Sequence, residues 1–252
     1  MSYVLRAMAH GSPEVSPTRR LLALALVLLL AGCRTDASSA GASGGMPGGH
    51  RHDVPSGAPP PSAPRARALL EGLVVRPRPH GTQGYERDAF GSDWVDTDQN
   101  RCNQRDDVLL RDAVPGTVEV QRQGGCDHDV LAGTWHDPYT GRTWAFTDLK
   151  DPLQAQAIQI DHLVPLAEAW VSAAGSWSNS RREVFANDLD ELLAVDGPTN
   201  AAKGDDDPAA WRPRLEFQCA YARRWITVKA RYSLMVDPPE KGALGEMLGS
   251  CR

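Results

Sequence analysis

The sequence is most restrictive in what it lacks. None of its five cysteines forms a Cys-x-x-Cys pair, which argues against a structural zinc site. There is no His-Glu-x-x-His, no serine-nucleophile elbow and no Gly-rich phosphate loop, so zincin, serine-hydrolase and P-loop chemistry fall away. No helix-turn-helix or zinc-finger pattern offers a base-reading module, and no internal repeat suggests a solenoid. The net charge is −5, so no general basic field gathers polyanions. The apolar run from Leu21 to Ala31 is too short to span a membrane.

That short run still carries information. It follows a basic stretch ending in Arg19-Arg20 and precedes Gly32-Cys33, the pattern of an export signal. Leu30-Ala31-Gly32-Cys33 also resembles a bacterial lipobox, which makes Cys33 the expected lipidation site and anchors the chain to a membrane surface. Residues 1–32 are thus read as a lipoprotein-type signal and 33–66 as a Ser/Gly/Pro-rich tether with too little apolar surface to order itself. Residues 67–252 are long enough for one domain with its own core. In an exported chain the four remaining cysteines imply two disulfides. Three pairings exist, and locality favours Cys102 with Cys126 and Cys219 with Cys251.

Local patterns point to an α+β domain. Residues 68–73 suit a short helix, 91–100 a loop, and 105–112 a short helical or extended piece. Val118 to Val120 alternates as a strand. Residues 130–135 and 143–146 flank Asp137-Pro138-Tyr139-Thr140-Gly141 as a hairpin. Short strands at 158–160 and 192–195 bracket helices near 166–174 and 181–189. Asp196-Gly197-Pro198 reads as a turn, with Thr199 capping a helix that carries Asn200 and Lys203. From Phe217 to Met235, apolar residues three and four apart predict a long helix ended by Pro238-Pro239.

The chemistry concentrates at Asp161-His162 and, downstream, at Asn200 and Lys203. A carboxylate and an amide oxygen are hard ligands suited to Mg²⁺, and an imidazole on the opposite strand face can take a proton from water. One ion with few protein ligands keeps positions open for phosphate and water. Asp161 and Asn200 are therefore expected as metal ligands, with Mn²⁺ or another divalent ion as a substitute for Mg²⁺, and His162 as the general base.

Ile160 to Glu168, with Asn200 to Asp205 downstream, resembles the HNH, or ββα-metal, endonuclease family from about Asp151 to Trp211. The resemblance implies the same ligands and base, with Lys203 on a substrate phosphate. It departs in the middle, where the family's orienting Asn falls in register on Glu191 while the nearest asparagine is Asn187; either Asn187 takes the role with a shifted loop or the role is missing. The segments Arg101 to Asp106, Asp137 to Gly141, Phe185 to Asp188 and Asp207 to Trp211 are similar to an exported branch related to the C-terminal domain of GmrSD-type restriction enzymes. That similarity adds Arg105 as a phosphate contact.

Arg212 to Arg231 holds six cations against Glu216, and Arg223 and Arg224 are read there as substrate contacts. The expectation is a disulfide-stapled ββα-metal nuclease domain, monomeric, acting on DNA, or on RNA, with little sequence specificity. Its rival is a noncatalytic surface lipoprotein that binds a partner or polyanion through the same fold.

Overall fold

The computed structural model describes residues 59–252 except residue 93. The expected signal, Cys33 and nearly all of the tether lie outside the described residues. In chain order the elements are α1 (Ala63–Gly72), α2 (Gln104–Asp112), β1 (Glu119–Gln123), β2 (Cys126–His136), β3 (Thr143–Phe146), α3 (Pro152–Ala157), β4 (Ile158–His162), α4 (Leu166–Ser172), α5 (Asn179–Ala186), β5 (Leu192–Asp196), α6 (Gly197–Lys203), α7 (Leu215–Tyr232) and α8 (Pro238–Gly249). This is the expected α+β class.

Helix α1 begins before residue 67, the expected start of the domain. Pro64 occupies its first turn, where a missing N–H costs nothing, and Ala66 and Leu70 are buried in the main core. The prolines at 238 and 239 behave the same way. They open α8 on the Asp237 cap rather than ending α7, which already stops at Ser233 in the left-handed region.

Strand β2 lies between β1 and β3, antiparallel to both. A separate ribbon pairs β4 with β5, setting Asp161 opposite Leu193 and His162 opposite Leu192. Alternation along this ribbon sorts its side chains. Ile158, Ile160, Leu192 and Ala194 face a cluster with Val108, Leu109 and Trp135. Leu193 and Val195 face a larger cluster with Phe185, Tyr221 and Trp225. The ribbon is thus buried on both sides, and its polar residues are held where water has little access.

β5 runs straight into α6. Asp196 ends the strand and caps the helix, accepting from Thr199 N at 3.0 Å and Thr199 Oγ1 at 2.6 Å. The cap is therefore Asp196, not Thr199, and Gly197-Pro198 is the first turn of the helix. Gly197 has to be glycine, because a Cβ there would lie 2.2 Å from the Gln156 carbonyl oxygen.

The two disulfides form as locality suggests, Cys102–Cys126 and Cys219–Cys251. Closing loops of 24 and 32 residues contributes about 3–4 kcal/mol each by restricting the unfolded chain.

Candidate active site

His162 ends β4 with its side chain on the ribbon face opposite Asp161. Nε2 lies 2.9 Å from the carbonyl oxygen of Ala186, so Nε2–H donates there and Nδ1 is left as the acceptor. The ring stacks on Trp94, with centroids 5.6 Å apart and planes at 14°. Burial pushes the pKa down to about 3, helped by the positive charges of Arg87 and Lys203 and opposed by the Ala186 hydrogen bond. The imidazole is neutral at physiological pH.

His162 lines a cavity of about 310 Å³ together with Arg87, Ser92, Trp94 and Asn187. One wall of that cavity carries Arg87, Phe90, Gly91, Ser92 and Trp94. It is fastened to α5 and the residue after it by Arg182 Nε on Ala89 O at 2.9 Å and by Val95 N on Asn187 Oδ1 at 3.1 Å.

Across the ribbon, Asp161 is enclosed. Oδ1 accepts from Lys203 Nζ at 2.9 Å, and Oδ2 accepts a short hydrogen bond from the Tyr139 hydroxyl. The Lys203 ammonium also donates to the His162 carbonyl at 2.8 Å, and its side chain is fully buried. Burial raises the Asp161 pKa, while Lys203 and Tyr139 favour its charged form. Asn200, one turn before Lys203, donates from Nδ2 to Gln159 Oε1 at 2.9 Å.

These contacts bear on two expectations. Both Asp161 oxygens are engaged, and Lys203 holds the position beside the carboxylate that a cation would take. Asp161 and Asn200 as arranged therefore do not fit an open divalent-metal pair. Lys203 in turn is a buried partner of Asp161, not a free contact for substrate phosphate.

Asn187 has partners of its own. Besides its bond to Val95 N, its Nδ2 donates to Glu183 O at 3.0 Å, and the partner of His162 is the backbone of Ala186. Glu191, the family register position, does brace the histidine's strand end. Its Oε1 accepts from Val164 N at 2.8 Å, and its own carbonyl accepts from Leu163 N at 2.7 Å. Burial holds its carboxyl well above the usual range.

None of the expected substrate arginines lines the His162 cavity. Arg105 reaches the carbonyls of Ala155 and Ile158 at 3.4 Å. Arg223 binds the carbonyls of Pro60 and Pro61. Arg224 is largely desolvated beside Pro59, Asp190 and Arg231. Other cations of that stretch are paired, Arg212 with Glu246, Arg214 with Glu216, and Arg231 with Asp188 and Asp190. Cys102, Cys126 and His128 also converge, but both sulfurs belong to the disulfide and offer no thiolate.

Residues 104–247 match the family described as GmrSD restriction endonucleases, C-terminal domain. The chain belongs to that family. It is thus a member of a nuclease family. A protein of Arthroderma benhamiae (strain ATCC MYA-4681 / CBS 112371) described as an uncharacterized secreted protein is 45% identical over 195 residues, covering 76% of this chain and 87% of its own length. The two disulfides fit export. No solved structure matches the chain. Arg87 and Trp94 precede the matched GmrSD C-terminal region, so no motif marks them. Tyr139 sits within it, in a segment that reads as a turn and as part of the resemblance, and neither reading gives its hydroxyl a role.

Proposed function

We propose that the chain is an exported endonuclease that hydrolyses phosphodiester bonds of nucleic acid, DNA foremost, with His162 as general base. The observation that carries this reading is a neutral imidazole whose acceptor nitrogen is left open at the wall of a cavity that also bears Arg87. β4, β5 and α6, in that order with His162 closing the first strand, serve as the ββα core of the resemblance.

In this reading the Ala186 carbonyl fixes the tautomer, Trp94 fixes the ring plane, and Nδ1 takes the proton of the attacking water. A pKa near 3 keeps the ring unprotonated but makes it a weak base. A phosphate entering the cavity brings negative charge that raises it toward the working range. Arg87 is the cation at the cavity that receives the phosphate. No step is routed through a metal at Asp161; Lys203 there neutralises the carboxylate and ties α6 to the His162 backbone. Residues 1–32 direct export and Cys33 takes a lipid anchor. With no base-reading element, cleavage has little sequence preference.

The closed Asp161–Lys203 pair favours one rival, a noncatalytic lipoprotein that binds a partner through this fold. Plasmid nicking by the oxidised chain, with Mg²⁺, with Mn²⁺ and with EDTA, beside His162→Ala, separates the two. Nicking abolished by His162→Ala supports the nuclease. A folded wild-type chain that nicks under none of these conditions supports the binder.

A further inference from the structure

The stretch from Asp96 to Asp107 places oxygen-bearing side chains at the first, third, fifth, ninth and twelfth of twelve positions: Asp96, Asp98, Asn100, Gln104 and Asp107. The sixth, Arg101, has φ 76, where an EF-hand loop turns sharply on glycine. As in such a loop, a helix leaves from the end of the stretch: α2 starts at Gln104 and holds Asp107 in its first turn. The loop draws its amides inward. Asn100 N and Arg101 N lie 3.1 and 2.8 Å from the Asp96 carboxylate, and Asn100 Nδ2 bridges Asp98 and Asp107 at 3.1 and 2.8 Å.

A separate observation points to a ligand. The Asp107 side chain has no exposed surface. Its Oδ1 accepts from Asn100 and from His128 Nε2, each at 2.8 Å, while Oδ2 has no hydrogen-bond partner. Leaving a buried carboxylate oxygen without a donor costs about 1–3 kcal/mol or more, which a cation would offset.

We propose that this loop is a calcium site held by Asp96, Asp98, Asn100 and Asp107. Three carboxylates and an amide on a bending loop suit a large oxygen-seeking ion better than Mg²⁺, which demands a tight octahedron and keeps its waters. Two departures from the strongest loops, aspartate at the twelfth place and arginine at the sixth, set the affinity in the weak range of extracellular modules. Cys102, at the seventh place, is locked to Cys126 on β2, so the loop is anchored in the fold. Trp94, stacked on His162, lies just ahead of Asp96, and Val95 is bonded to Asn187. Calcium would thus order the cavity wall. That last consequence rests on the nuclease reading; the ion site does not.

The test uses the oxidised full chain freed of divalent ions with chelator. Calorimetric titration with Ca²⁺ and separately with Mg²⁺ is run beside thermal melts and terbium luminescence excited through tryptophan. One Ca²⁺ site with Kd on the order of 10⁻⁴–10⁻³ M is expected, with a melting temperature that rises with Ca²⁺. Asp98→Asn, an exposed change that leaves the core untouched, should weaken binding at least tenfold. No melting response at about ten times the upper end of that range, an equal response to Mg²⁺, or unchanged Ca²⁺ binding in Asp98→Asn would overturn the site. None of these readouts depends on cleavage, so an inactive chain that binds Ca²⁺ would overturn the nuclease reading alone.

Discussion

The Lys203 ammonium lies 2.9 Å from Oδ1 of Asp161, with both side chains withdrawn from water. Removing one member strands the other. Lys203→Met should therefore destabilise the fold by about 3–5 kcal/mol, the cost of an uncompensated buried charge. Lys203→Met with Asp161→Asn should recover much of that loss. Urea unfolding of these two variants and of Asp161→Asn alone checks it, and strict additivity would show that the two residues are not coupled.

Glu191 offers a second test, on positioning. Glu191→Gln keeps an oxygen for the Val164 amide and removes a carboxyl whose charged form burial disfavours. It should cleave nearly as the wild type does. Glu191→Ala leaves that amide unpaired and loosens the turn after His162, so kcat should fall about 10-fold or more with KM little changed, as expected for a misplaced catalytic group. Steady-state kinetics on one oligonucleotide decides between them; equal loss in both variants would assign the carboxylate a direct role.

Arg223 spends its guanidinium on the carbonyls of Pro60 and Pro61. Arg223→Ala should leave cleavage and its salt dependence unchanged. A salt slope reduced by about one would instead restore Arg223 as a phosphate contact.

Stability should also depend on pH through Glu240. Burial raises its pKa to about 7, although Lys229 and Trp225 donate to it. The unfolded chain, near 4.5, releases this proton first, so the native state holds more protons between about 4.5 and 7. Stability contributed by Glu240 therefore falls as pH rises through that window. Glu240→Gln should flatten that part of a melting-temperature profile, and an unchanged profile would mean that the carboxyl is already ionised at pH 5.

Much of this was legible in the sequence because periodicity and pairing are local. The β4–β5 ribbon, α7, the hairpin and both disulfides follow from alternation, helical spacing and proximity. What was not legible is how polar groups are partnered. Nothing in Asp161-His162 says that Lys203 and Tyr139 occupy both carboxylate oxygens, because those partners converge only in three dimensions. Pro198 and Pro238 read as breakers, but proline is equally at home in a helix's first turn, and only the caps at Asp196 and Asp237 decide. The arginines of α7 look basic on paper, but the fold turns Arg231 to Asp188 and Asp190 and Arg223 to two proline carbonyls.

Pro60 and Pro61 are held by Arg223, and Cys251 is bonded to Cys219. The segment before α1 and the one after α8 are therefore both moored to α7. Loosening that helix would release the two together, so their protection from hydrogen exchange should rise and fall as one.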